Sequence, residues 1–162
     1  MALLRLIAVP SGTMRLRQRP ARALAAATTY QAPPDVVFAA LSDVAGYGDW
    51  RSDVKRIEML PDDNGRRMFR EHGSNGVITF RFEESTAPSR LLVRIADPSL
   101  PFGGTWTHEL RATPSGGTEL TTTEDGEVYN PIFRFMSKFF FSPTATINAY
   151  QTALGKKLGR KN

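Results

Sequence analysis

The sequence predicts an α+β fold in which a curved, seven-stranded antiparallel sheet wraps around a long C-terminal helix. Six consecutive segments between residues 54 and 128 alternate apolar and polar residues, which is typical of strands with one buried face. After residue 130 the apolar residues instead recur at helical spacing. A chain of 162 residues is expected to form one domain with a sizeable core.

One strand and two short helices are predicted first. Residues 22–30 (RALAAATTY) favour a strand, because β-branched and aromatic residues end the segment. Residues 33–35 (PPD) begin a helix, since proline is tolerated in the first helical turn and a carboxylate there is stabilised by the helix dipole. Glycines at positions 46 and 48 then interrupt the pattern, so a second short helix or turn is expected to end near Trp50.

Six strands follow as a meander. In residues 77–84 (VITFRFEE), for example, Ile78, Phe80 and Phe82 share one face. Turn-forming residues such as Ser74-Asn75-Gly76 separate the segments and predict hairpins. The six strands are expected at residues 54–60, 66–72, 77–84, 91–97, 106–111 and 118–128.

The end of the chain predicts the helix that covers the sheet. Asn130 and Pro131 suit a helix start, and residues 132–141 (IFRFMSKFFF) place most of their apolar side chains on one broad arc. Pro143 is expected to kink or break this helix. A curved sheet buries one face, and this helix is large enough to cover it, which is a helix-grip arrangement. The second helical segment has Ile147, Tyr150, Leu154 and Leu158 at helical spacing.

The formal net charge of +5 is unevenly distributed. Residues 1–34 contain five arginines and no acidic residue, whereas residues 35–155 contain 12 basic and 16 acidic residues. The last seven residues add four basic ones. The acidic body argues against a nucleic-acid partner. No apolar stretch reaches the roughly 18 residues that a membrane span requires.

These charges divide the chain into a basic N-terminal tail (residues 1–21), a folded domain (22–158) and a basic C-terminal tail (159–162). For the leader, four interpretations stay open: a disordered tail, a peripheral membrane anchor, an organelle transit segment, and a start at Met14. The basic ends favour an anionic membrane surface. We therefore expect a cytoplasmic protein, with peripheral membrane association as the alternative.

Composition excludes several chemistries. The chain has no cysteine, which excludes disulfides and thiolate nucleophiles, and its two histidines cannot build a histidine-rich metal site. It lacks a glycine-rich phosphate loop and a nucleophile elbow. No cofactor and no metal are expected.

Three segments resemble a known family. The sequence PPDVVFAALSDVAGYGDW within residues 31–50 resembles the opening of START-like (SRPBCC) proteins. Residues 101–110 (PFGGTWTHEL) and 123–136 (TEDGEVYNPIFRFM) resemble its polyketide cyclase/dehydrase-like branch. The resemblance covers about residues 23–158 and implies a helix-grip (START-like) fold with a deep apolar cavity for lipids, sterols or polyketides. It implies no single activity, because the superfamily includes carriers, cyclases and regulators.

Strand parity predicts which side chains face that cavity. A hairpin turning at Asn75-Gly76 places Phe69 opposite Phe82, and Glu71 opposite Phe80. In the last hairpin, Leu110 opposite Leu120 makes Trp106 a neighbour of Glu124, and His108 a neighbour of Thr122. The predicted ligand-binding residues are Phe69, Glu71, Phe80, Phe82, Val93, Ile95, Trp106, His108, Thr122 and Glu124 from the sheet, with Phe133, Met136 and Phe140 from the helix.

Three of these residues are ionisable. Glu71, His108 and Glu124 in one apolar cleft are candidates for general acid/base catalysis. The alternative is structural or ligand-orienting, with a hydrogen-bonded core histidine and Glu124 at the cavity mouth or paired with an arginine such as Arg70 or Arg134. We favour this second interpretation.

The function predicted from the sequence is the binding of a hydrophobic small molecule of lipid, polyketide or isoprenoid type between the sheet and the C-terminal helix. A cyclase- or dehydratase-type enzyme is one alternative, and a membrane-associated lipid- or quinone-handling factor is another. Arg66, Arg67 and Arg70 are interpreted as a solvated edge rather than an anion site. The sequence does not predict the oligomeric state.

Overall fold

The computed structural model describes residues 21–129 and 143–159. The helices in these ranges are α1 (Pro34–Ser42), a 3₁₀ helix (Val44–Asp49) and α2 (Pro143–Gly159). The strands are β1 (Ala21–Tyr30), β2 (Val54–Asp63), β3 (Arg66–Gly73), β4 (Gly76–Thr86), β5 (Arg90–Ile95), β6 (Phe102–Ala112) and β7 (Thr118–Val128).

The strands form one antiparallel sheet in the order β1-β7-β6-β5-β4-β3-β2. Strands β2 to β7 follow one another as a meander, and β1 pairs with β7, so β1 and β2 are the two edges. The seven-stranded sheet with two short helices after the first strand and a helix at the C-terminal end confirms the predicted helix-grip fold.

The register of the last hairpin is as predicted, whereas that of the β3–β4 hairpin is not. In β6–β7, Trp106 pairs with Glu124. In β3–β4, Phe69 pairs with Phe80 rather than Phe82, and Glu71 pairs with Ile78 rather than Phe80. The β6–β7 pairs also include His108 with Thr122, and Leu110 with Leu120.

The difference between the predicted and the observed register originates in the β3–β4 turn. Gly73 pairs with Gly76, so the turn residues are Ser74 and Asn75. Gly76 follows the turn with φ of 94°, a left-handed conformation that glycine adopts without strain. The predicted and observed pairing partners differ by two residues. Because side chains alternate with a period of two, this shift leaves the assignment of side chains to faces unaffected.

The core lies between the inner face of the sheet and the helices. In α2, Ile147 and Leu154 are fully buried, and Tyr150 is nearly so. This confirms the helical spacing predicted for the segment, and α2 begins at the proline expected to interrupt the longer helix. Burying each such aliphatic side chain stabilises the fold by about 1.5–3 kcal/mol.

The outer face of the sheet carries charged side chains that pair both within a strand and across strands. Arg81 binds Asp63 and Glu83, and Arg94 binds Glu127. Such partly exposed ion pairs contribute about 0–1 kcal/mol each, so they stabilise the sheet only modestly.

Several predicted features lie outside the described residues. These are the helix over residues 130–142, with Phe133, Met136 and Phe140, and most of both basic ends. None of the helices within residues 21–129 and 143–159 is long and apolar enough to span a membrane.

Candidate functional site

The strand pairings bring all ten predicted sheet residues to the inner face, where they differ in burial. The buried ones are Phe69, Glu71, Phe82, Val93, His108 and Thr122. Those that are only half-buried are Phe80, Ile95, Trp106 and Glu124. The inner face therefore has a filled part and a more open part.

Glu71 is held by an arginine that the sequence did not point to. The two Arg51 Nη1 distances to the Glu71 carboxylate are 2.7 Å (Oε1) and 3.2 Å (Oε2). Nη2 of the same guanidinium binds Asp53 at 2.6 Å. Burial raises the pKa of the Glu71 carboxyl, and the Arg51 charge opposes that rise. Glu71 is thus one partner of a largely buried ion pair that connects the end of the 3₁₀ helix to β3.

Tyr150 of α2 is the centre of an aromatic cluster. Its ring centroid lies 5.4 Å from Trp50 and 5.5 Å from both Trp106 and His108. The Arg51 guanidinium lies 5.4 Å from the same ring, in the geometry of a cation–π contact. The cluster fills the space between α2 and the middle of the sheet.

His108 is a satisfied core histidine. Its Nδ1 lies 3.1 Å from the Thr122 hydroxyl, and its ring stacks on Tyr150 at an interplanar angle of 19°. Burial lowers the pKa of His108 to about 4, so the ring is neutral at pH 7. Gln151 of α2 also donates to the Thr122 hydroxyl, at 3.3 Å.

Glu124 has a different environment. Burial raises the pKa of its carboxyl, and a hydrogen bond from Trp106 opposes that rise. Its Oε2 is buried without a hydrogen-bond partner among the described residues. The suggested pairing with Arg70 does not occur, since Arg70 binds Glu58 on the outer face. The other suggested partner, Arg134, lies outside the described residues.

Among the described residues, nothing fills the part of the inner face next to Glu124. Gly126 lies two residues further along β7, and no described atom comes within 4 Å of the position that a Cβ would take there. The half-buried apolar side chains of Phe80, Ile95 and Trp106 line the same part of the face.

The three ionisable candidates therefore share a face without forming a connected catalytic set. Within the described residues, Glu71 binds Arg51, His108 contacts Thr122, and only Glu124 keeps an unpartnered oxygen. The same part of the chain contains no group of three or more histidine, aspartate or glutamate side chains arranged to hold a metal ion.

The sequence pattern identified the strand residues but missed Arg51, Tyr150 and Gln151. Tyr150 was expected only as a core residue of the helix, although its helical spacing placed it on the face that covers the sheet. No local signal marks Arg51 or Gln151, because their partners are distant in sequence.

Three solved structures show the same fold. The Zhui aromatase/cyclase of Streptomyces sp. R1128 has a TM-score of 0.65 and 17% sequence identity, with 86% of this chain and 94% of that chain covered. A START superfamily protein of Mycobacterium smegmatis has a TM-score of 0.67 and 15% identity, with 84% of this chain and 96% of that chain covered. A point mutant of the Thalictrum flavum norcoclaurine synthase, in complex with a transition-state analogue, has a TM-score of 0.67 and 13% identity, with 85% of this chain and 93% of that chain covered. A search of curated proteins found no significant match.

A family model described as polyketide cyclase/dehydrase and lipid transport matches residues 22–156, which is most of the chain. The match includes every described residue of the inner face. The segments predicted to resemble this family lie inside the matched range. The chain therefore belongs to the polyketide cyclase/dehydrase and lipid transport family and has the START helix-grip fold.

Proposed function

We propose that the protein binds a hydrophobic small molecule of lipid, polyketide or isoprenoid type against the open part of the inner face. The observation that carries the proposal is the patch of half-buried Phe80, Ile95 and Trp106 beside the space at Gly126. Apolar side chains that stay half-exposed inside a concave sheet are typical of ligand pockets.

The aromatic cluster around Tyr150 restricts where such a ligand lies. Because that cluster fills the centre of the inner face, the apolar part of the ligand is placed towards Phe80 and Ile95. Covering one large apolar side chain there contributes about 1.5–3 kcal/mol to binding, before the entropy lost by the ligand.

Glu124 gives the site a polar end. An unpartnered buried oxygen destabilises the empty site by about 1–3 kcal/mol, and a ligand hydroxyl that hydrogen-bonds to Oε2 removes this penalty. The proposed ligand therefore has an apolar body with a hydroxyl group or a carbonyl group. A hydroxyl donates a hydrogen bond to the Glu124 carboxylate, whereas a carbonyl accepts one from the Glu124 carboxyl in its protonated form.

Filling the space at Gly126 tests the site. We expect Gly126→Leu to weaken the binding of 2-naphthol at least tenfold in fluorescence titration, because leucine occupies the ligand volume. The conformation of Gly126 is open to other residues, so the variant is expected to fold. Thr123→Leu, on the outer face of the same strand, is the matched control and keeps wild-type affinity. Equal affinity in all three proteins would refute the site.

Acid/base catalysis is the second candidate, and the environment of Glu124 favours it. A buried carboxyl with a raised pKa keeps its proton to a higher pH than an exposed carboxyl does, and it can exchange that proton with a carbonyl compound. Two of the structures with this fold are named as an aromatase/cyclase and a synthase, so this fold also occurs in enzymes.

The expected activity is proton exchange at the carbon next to a ketone. With α-tetralone in D₂O, we expect wild type to accelerate deuterium incorporation and Glu124→Gln to abolish it while the affinity for α-tetralone is retained. Wild type that exchanges no faster than buffer at saturating α-tetralone would argue for a carrier without catalysis.

A further inference from the structure

Three arginines of β3 have different surroundings. Arg66 binds Glu83 and Arg70 binds Glu58, both on the outer face. Side chains alternate along a strand, so Arg67 projects to the opposite, inner side. The three therefore lie on two faces of the sheet, and Arg67, although exposed, has different neighbours from Arg66 and Arg70.

Arg67 is oriented without being neutralised. Its guanidinium lies 4.5 Å from the Phe82 ring centroid, and Nη2 donates to the Ser42 carbonyl oxygen at 2.7 Å. No carboxylate of the described residues forms an ion pair with it, although most other described arginines have one. The Phe82 ring and the end of α1 thus orient the Arg67 guanidinium, and its positive charge stays available to an anionic ligand.

A groove of about 500 Å³ opens beside this guanidinium. That volume is within the range of about 300–1,000 Å³ typical of small-molecule sites. Met59 is half-exposed on one wall, although a large apolar side chain normally avoids water. The residues that line the groove are Ala39, Ser42, Asp43, Val44, Ala45, Met59 and Arg67.

Asp43 is the one carboxylate among the described lining residues. Its Oδ2 lies 2.7 Å from the position that a Cβ would take at Gly46. The carboxylate is therefore packed against the first turn of the 3₁₀ helix, where it precedes the N-terminal end of that helix. The Asp43 side chain makes no capping hydrogen bond and is exposed, so the groove presents one carboxylate as well as the Arg67 guanidinium, and an anionic head is expected to pair with Arg67 on the side away from Asp43.

We propose that this groove binds an amphiphile with one anionic head, a carboxylate or a phosphate monoester, paired with Arg67. The planar guanidinium matches either head with two parallel hydrogen bonds. The alkyl chain lies along Val44, Ala45 and Met59. Arg67 and Gly126 are four strands apart, about 19 Å along the sheet, so this site is separate from the Glu124–Gly126 end of the ligand position proposed above.

Octanoate and 1-octanol test the head group, because they share a chain and differ in charge. By isothermal titration calorimetry we expect wild type to bind octanoate at least tenfold more tightly than octanol. Arg67→Gln reduces the octanoate affinity to that of octanol. Arg111→Gln, an exposed arginine on the outer face, is the control and leaves both affinities unchanged.

Two further variants separate this site from a folding defect and from the other ligand position. Ala45→Leu keeps Arg67 and fills the groove, so it weakens the binding of octanoate. Gly126→Leu leaves octanoate binding unchanged, whatever its effect on 2-naphthol. Octanoate binding that is lost in Gly126→Leu and retained in Arg67→Gln would overturn the proposal.

The anion comes either from solution or from a lipid surface. Saturable octanoate binding that depends on Arg67 indicates a free amphiphile. Co-sedimentation of wild type, but not of Arg67→Gln, with phosphatidylcholine vesicles containing phosphatidic acid indicates a lipid head group. If Arg67→Gln equals wild type in both experiments, the groove is not an anion site.

Discussion

His108 has surroundings that exclude its charged form. It is fully buried, its Nδ1 contacts a hydroxyl, and its ring stacks on Tyr150. Since burial lowers its pKa to about 4, the unfolded chain binds a proton at a higher pH than the folded protein does. The contribution of His108 is therefore fully present above about pH 6.5 and decreases as the pH falls towards 4.

This difference in the pKa of His108 between the folded and the unfolded chain predicts that the protein loses stability in acid because of this one residue. Between pH 7 and 4.5, His108 is expected to lower the free energy of unfolding by roughly 2–3 kcal/mol. His108→Asn keeps a polar atom near Nδ1 and removes the titrating ring, so this part of the pH dependence disappears. Urea unfolding at the two pH values measures it.

His72 provides the control, because it is the other histidine and lies on the outer face beside Glu58. His72→Asn is expected to retain the His108-dependent loss. The same pH dependence in His108→Asn as in wild type would mean that the ring is accessible to protons in the folded state.

The two inner-face glutamates show what sequence alone could not resolve. Strand parity placed Glu71 and Glu124 on one face, because side chains alternate along a strand. It could not distinguish them, since the ion pair of Glu71 comes from Arg51, twenty residues earlier and in a segment without regular periodicity. Glu124 stays without such a partner among the described residues, which makes it the functional candidate.

At the scale of elements, Gln151 fastens α2 to the sheet. Its Nε2 donates to the Ala26 carbonyl oxygen at 3.1 Å, and its Oε1 accepts from the Thr28 hydroxyl at 2.6 Å. Its own carbonyl oxygen accepts from the Tyr30 hydroxyl at 2.8 Å. A buried side-chain amide thus fixes the helix against edge strand β1.

Removing this amide is expected to loosen α2. Gln151→Ala leaves buried partners on β1 and β7 unsatisfied, and we expect the free energy of unfolding to fall by roughly 3 kcal/mol. Thr152→Ala, an exposed neighbour on the same helix, is the control and changes stability little. Urea denaturation compares the two, and equal midpoints would show that Gln151 does not anchor the helix.

The elements themselves were largely predictable, and the exceptions have local causes. Alternation and turn residues located strands β2 to β7, and β-branched and aromatic residues located β1. The β6–β7 register followed from placing Leu110 opposite Leu120. The β3–β4 register did not follow, since Ser-Asn-Gly is compatible with two turn geometries that differ in which residues form the loop.

At the scale of the whole molecule, the described inner face divides into two regions. The cluster around Tyr150, together with Arg51 and Glu71, joins α2 to the 3₁₀ helix and the sheet. Among the described residues, the part near Glu124 and Gly126 contains unfilled space and an unpartnered polar atom. Stability and ligand binding are therefore assigned to different regions of one face, and we expect variants to affect them separately.

Native mass spectrometry of the protein purified from its own host tests this account most directly. We expect wild type and Thr123→Leu to carry an apolar molecule with a hydroxyl or carbonyl group, and Gly126→Leu to be empty. Extraction and high-resolution mass measurement then identify the molecule. The same ligand at the same occupancy in wild type and Gly126→Leu would contradict the assignment of the site to the open part of the inner face.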